Sequence, residues 1–202
     1  VGTIRAPESA EEDMRRMVGP DSMDAVRLAA HLDATLFADD LGLRRFGPDD
    51  KRVRSFSSVA LLPILAEREV ISVADRDAHL LRLVSDRYTI VPPTSELLLC
   101  ALHAPDQGRA TAERAFGLLG NPGRPLDAAA RIAAEVLRAV AVAPLQTIGL
   151  DRVVGLVLGG MVEKWPGELR AAAVEEAVRK RFSLLPGPRE EVRKACKAFR
   201  RA

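Results

Sequence analysis

Two adjacent carboxylates, Asp39 and Asp40, stand at the end of a short apolar run, Ala34-Thr35-Leu36-Phe37-Ala38. Such a pair offers hard oxygen donors to Mg²⁺ or Mn²⁺, and a cation held there can activate water and steady a phosphate. Like charges this close repel, so a cation is their natural partner. Asp39 directly follows the run and is the stronger candidate. The pair also has a purely structural use, in which Asp40 caps a helical turn beginning at Leu41. Arg44 and Arg45 follow closely enough in sequence to steer a phosphate toward the carboxylates.

Other reactive residue types lack the spacing that chemistry needs. His31, His79 and His103 do not stand at metal-ligand intervals from one another. Cys100 lies in the apolar run SELLLCAL and Cys196 in a basic tail, with no CxxC or Cys/His pattern. Reduced thiols and a cytoplasmic location follow from that usage. Ser57 and Ser58 lack a Gly-x-Ser-x-Gly context and read as helix caps. Gly155, Gly159 and Gly160 lack the order of a phosphate loop and read as close helix packing. Asp49-Asp50 reads as a solvated turn, and Glu11, Glu12 and Asp13 as an acidic lead. The tail carries Arg189, Arg193, Lys194, Lys197, Arg200 and Arg201 with one aromatic, Phe199. It reads as a solvated basic helix face; nucleic acid or an acidic partner is the sharper alternative.

The elements that must position these residues are helix-rich. The chain has 202 residues, enough for one large domain or two small ones, and its hydrophobic content is 48% with only 4% aromatics. The core is therefore built from Leu, Val and Ala, which favours helices. A net charge of +2 permits nucleic-acid binding without implying it. No apolar stretch approaches the length of a membrane span.

Apolar spacing predicts a helix from Met23 to Leu32, then a buried strand over Ala34 to Ala38. A helix with Pro63 inside it is expected from Val59 to about Arg68, and another, capped by Ser72, from Val73 to about Asp86. Tyr88 to Val91 reads as a second strand stopped by Pro92-Pro93, and Thr94 or Ser95 opens a further helix. Beyond a linker at 104–108 the pattern is helical throughout, in segments over 110–119, 126–142, 145–165, 168–184 and 189–200. Residues 1–103 thus read as an α/β segment and 109–202 as an all-α bundle.

The stretch MDAVRLAAHLDATLFADDLGLRRFG, with FSSVALLPILAEREVIS and DAHLLRLVSDRYTIVPP after it, resembles the C-terminal half of a PIN-type nuclease domain. The resemblance covers about residues 20–92, and its most specific piece is ADDLGLR, Ala38 to Arg44. It implies an incomplete PIN-like parallel sheet flanked by helices, and a carboxylate cluster that binds Mg²⁺ or Mn²⁺ and cleaves RNA. Asp39 and Asp40 match the family's late acidic pair and would be catalytic metal ligands. The helix-opening acid of the family aligns with Ser22, and Asp24, nearby in the same helical turn, would assist. The family's first strand and its aspartate lie upstream of anything aligned here. The chain begins at Val1, so either it is a piece of something longer or the site is degenerate.

Two functions follow as expectations. One is a PIN-like, metal-dependent ribonuclease module. The other is a non-catalytic protein-interaction or regulatory module, in which the helical half binds a protein partner or forms a homo-oligomer.

Overall fold

The computed structural model describes residues 15–16, 19–39, 53–88, 90–104, 108–143 and 148–201. These fall into two compact units, Val1–Ser72 and Val73–Ala202.

In the first unit α1 (Pro20–His31) precedes β1 (Leu36–Phe37), β2 (Ser55–Phe56) and α2 (Ser58–Glu67). Pro20 suits the first helical position because its missing N–H would find no intrahelical acceptor there. Met23, Val26 and Ala29 recur at helical spacing and turn inward. The small core joins Val26 and Ala29 to Leu36 and Val53. β1 and β2 pair in parallel, Leu36 opposite Ser55 and Phe37 opposite Phe56. Leu36 N–H donates to Arg54 at 2.8 Å and Ala38 N–H to Phe56 at 3.0 Å. The rings of Phe37 and Phe56 meet at 5.1 Å between centroids.

The second unit is helical. It comprises α3 (Val73–Ser85), α4 (Ser95–His103), α5 (Gly108–Gly117) with a 3₁₀ turn (Leu118–Gly120), α6 (Leu126–Val142), α7 (Leu150–Gly160), α8 (Gly167–Arg181) and α9 (Pro186–Arg201). Thr94 caps α4 by accepting from Leu97 N–H at 3.2 Å, and Glu96 in the first turn complements the helix dipole. Ala129, Ala130, Ala133, Ala134 and Leu137 form the buried stripe of α6, and their small side chains let α8 approach closely through Ala171, Val174 and Val178. α7 buries Leu150, Val153, Val154, Val157 and Leu158. α9 contributes Val192 and Cys196.

The expected α/β segment with a PIN-like sheet is overturned. Among the described residues the chain is predominantly helical, and its strands are the two short segments β1 and β2. The strand expected at 88–91 does not form over the residues described there. Arg87 adopts φ 67°, Tyr88 N–H closes back onto Leu83 at 3.0 Å, and Pro92 and Pro93 follow Val91. The apolar signal at Val91 instead reflects a buried residue in a bend, at 1% exposure. The second strand lies at Ser55–Phe56, where the apolar spacing predicts none. α3 and α4, which that reading placed with the α/β part, pack on α5 and α6. Pro63 sits inside α2 without ending it, and no α2 side chain is fully buried.

Candidate functional site

β1 carries the chain through Ala38 to Asp39, so the carboxylate stands just past the strand, half-buried. Its Oδ1 accepts the Ser58 backbone N–H at 2.6 Å, and its Oδ2 accepts the Ser58 hydroxyl at 2.8 Å. Ser58 opens α2, so Asp39 satisfies one of the orphan donors of that helix and places negative charge at its positive end. Ser57 takes the N-cap position but makes no side-chain cap bond, and Asp39 does this work from across the sheet. Parallel pairing of β1 with β2 creates the juxtaposition, because both strands end at the same edge.

Asp24 stands on the preceding helix. It is exposed on α1 and pairs with Arg27 one turn on, at 3.5 Å. Among the described residues no three His, Cys, Asp or Glu side chains converge as a metal site. Asp40, Arg44 and Arg45 lie outside the described residues. A Mg²⁺ or Mn²⁺ ion wants several oxygen ligands, whereas the described donor set reduces to Asp39, with both oxygens already accepting from Ser58. By themselves these donors do not fit such an ion.

The basic tail is partly neutralised within the second unit. Arg193 forms a two-pronged pair with Glu190 at 2.6 and 2.8 Å, and Arg200 pairs with Glu175 at 3.1 Å. Phe199 is covered by the Arg170 guanidinium, 5.3 Å from its ring centroid, and so is not a free platform for a base. Arg170 is itself buried, donates to the Leu158 carbonyl, and ties α8 to α7 and α9. The thiol of Cys196 is pushed up to about 12 by burial and by the nearby Glu175 carboxylate. That of Cys100 is raised by burial and by Asp77. Neither has the depressed pKa of a reactive thiol.

A larger feature lies in the second unit. α5, α7 and the residues after α3 and α4 enclose an open cleft of about 1060 Å³. The buried stripe of α7 faces away from it, and Arg152, Gly155, Leu156 and Gly159 form the opposite stripe along the cleft. A Cβ placed on Gly155 or Gly159 would meet nothing within 4 Å. Gly160 differs: a Cβ there would overlap the Phe116 carbonyl, and one on Gly120 would lie 2.6 Å from the Gly160 oxygen. The packing role expected of all three α7 glycines therefore belongs to Gly160, while Gly155 and Gly159 line open space. Arg87, Arg109 and Arg114 stand with Arg152 along the walls, together with Glu113 and Glu163. Arg109 pairs with Glu113 at 2.7 Å, and Arg114 donates to the Ser85 carbonyl at 2.8 Å. Among the described residues Arg87 and Arg152 have no acidic partner. Composition and motif spacing gave no signal for this cleft, because its residues come from four separate stretches of the chain.

No helix among the described residues is long and apolar enough to cross a membrane. Comparisons with models of known protein families, with curated proteins and with solved structures find no match to this chain.

Proposed function

We propose that the chain is a non-catalytic interaction module whose helical unit binds a protein partner through the cleft beside α7. The observation that carries this reading is the open face formed by Gly155 and Gly159. A helical glycine costs about 1 kcal/mol relative to alanine. Gly160 has a packing reason for that cost within the chain, and the other two have none among the described residues. Their use lies in what enters the cleft. Val162, at 57% exposure, adds an apolar surface at the same rim. The carboxylate expected to work as a metal ligand, Asp39, is engaged in holding α2.

The test is site-specific photocrosslinking of the full chain in cells. A benzophenone amino acid replaces Val162 at the cleft or Leu184, which is 90% exposed and away from it. A discrete protein adduct from position 162 and none from position 184 is expected. No adduct at 162, or the same adducts at both, overturns the reading. A second copy of the chain as the adduct identifies a homo-oligomer.

A further inference from the structure

We infer that the cleft takes an amphipathic helix of the partner, with small side chains along its inner face and Asp or Glu along its flanks. The inference rests on the interaction reading above and names the chemistry of the occupant. Three observations converge on it.

The first is shape. An α-helix is about 10 Å across with its side chains and advances about 5.4 Å per turn, so an open trough of about 1060 Å³ accommodates roughly two turns. The second is the floor. Gly155 and Gly159 are one turn apart on the same face of α7, with empty space over each. Interaxial distance is set by the side chains at the crossing, and glycine pairs allow the closest approach. A partner helix also brings its backbone hydrogen bonds already satisfied, as a floor with few polar groups requires. Leu102, Leu156 and Val162 give its apolar face its contacts.

The third observation is charge. Arg109 and Arg114 rise from α5, Arg87 follows α3, and Arg152 lies on α7; against these four stand Glu113, held by Arg109 at 2.7 Å, and Glu163, so the described lining keeps an excess of two positive charges. Arg87 and Arg152 have no acidic partner among the described residues. A helix with acidic flanks complements them, and such complementarity governs register and encounter rate. Single-stranded RNA would also meet the arginines, but base stacking needs aromatic platforms, and Tyr88 is the one aromatic in the described lining.

Fluorescence anisotropy with the full chain tests this. The probes are a designed helix with an Ala/Leu inner face and Glu flanks, the same helix with Lys flanks, and a labelled oligouridylate. The Glu-flanked helix is expected to bind at least about tenfold tighter than the Lys-flanked one. Gly159→Leu, which fills the floor, is expected to weaken that binding about tenfold while leaving the melting temperature unchanged or higher, since leucine is the better helix former. Arg152→Glu is expected to weaken the Glu-flanked helix and improve the Lys-flanked one, and it keeps the test decisive if Gly159→Leu folds poorly. Equal binding of both helices, or indifference to both variants, overturns the proposal. So does binding of the oligouridylate in preference to either helix. If the Glu-flanked helix fails while the adduct at position 162 persists, the helix proposal falls and the interaction reading stands. If both fail, both fall.

Discussion

Asp39 holds Ser58 with both carboxylate oxygens, one on the backbone N–H at 2.6 Å and one on the hydroxyl at 2.8 Å. The bond spans 19 residues of sequence and fixes the start of α2 against the end of β1. A charge-assisted cap of this kind is worth about 1–2 kcal/mol.

Asp39→Ala is therefore expected to lower the stability of the first unit by about 1–2 kcal/mol, and Asp39→Asn by less, because the amide keeps one acceptor. Urea denaturation followed by circular dichroism measures both. Wild-type melting temperature is expected to be indifferent to Mn²⁺. A rise on adding Mn²⁺ that Asp39→Asn abolishes would reverse this and return the metal-dependent ribonuclease reading to the front.

Three helices end in the same hydrogen-bond pattern without glycine. After α1, Ala34 N–H reaches Ala29; after α2, Val70 reaches Leu65; after α3, Tyr88 reaches Leu83. The residues between, Asp33, Glu69 and Arg87, take φ of 49°, 58° and 67°. The left-handed conformation costs an ordinary residue about 1–2 kcal/mol, and glycine gives back about 0.4–1 kcal/mol in unfolded-state entropy. Glu69→Gly is expected to stabilise the protein by about 0.5–1 kcal/mol. Asp33→Gly should gain less, because aspartate tolerates this region and Asp33 also pairs with Arg54 at 3.2 Å. A higher urea midpoint for Glu69→Gly than for Asp33→Gly is the outcome to look for.

The two thiols should separate cleanly. Cys196 is fully buried, with its pKa raised to about 12, and Cys100 is half-buried and raised as well. An aromatic disulfide reagent at neutral pH is expected to label Cys100 slowly and Cys196 only as fast as the second unit opens. Both should react at once in denaturant. Rapid native labelling of Cys196 would contradict the packing of α9.

Glu176 on α8 is bound by Arg179 at 2.7 and 2.9 Å and by Lys180 at 3.3 Å, and these bonds lower its pKa to about 2 from an ordinary 4.5. A folded-state pKa below the unfolded value stabilises at higher pH. The contribution is complete above about pH 4.5 and is lost as pH falls toward 2. Glu176→Gln is expected to flatten the acid limb of stability in that window, and salt should shrink the difference because the side chains are exposed. A carboxyl titration by NMR reads the pKa directly.

Legibility in the sequence followed the reach of the forces involved. α6 was predicted at its observed limits, Leu126–Val142, because its alanine stripe is periodic and Pro125 precedes it. A cap at Thr94 or Ser95 was readable for the same local reason, and Thr94 fills it. The ends of α1, α2 and α3 were less sharply marked, since no glycine signals their left-handed stops. β2 was missed because Ser55-Phe56 has no alternation of its own and owes its extended form to pairing with β1. Placing Asp39 beyond a strand succeeded, but its partner Ser58 lies across the sheet, a link that spacing along the chain cannot express. The cleft is harder still, because it is a property of how α5 and α7 cross rather than of any segment.

The core of the first unit, Val26 and Ala29 against Leu36 and Val53, also sets how that unit comes apart. Parting these four described side chains releases little apolar surface, and both the heat-capacity increment and the denaturant slope scale with that surface. Separation of this cluster is therefore a small calorimetric event beside the melting of the helical unit. The amides of Leu36 and Ala38, although hydrogen-bonded, exchange with solvent through an inexpensive local opening, while those inside α6 and α7 wait for the helical core to disperse.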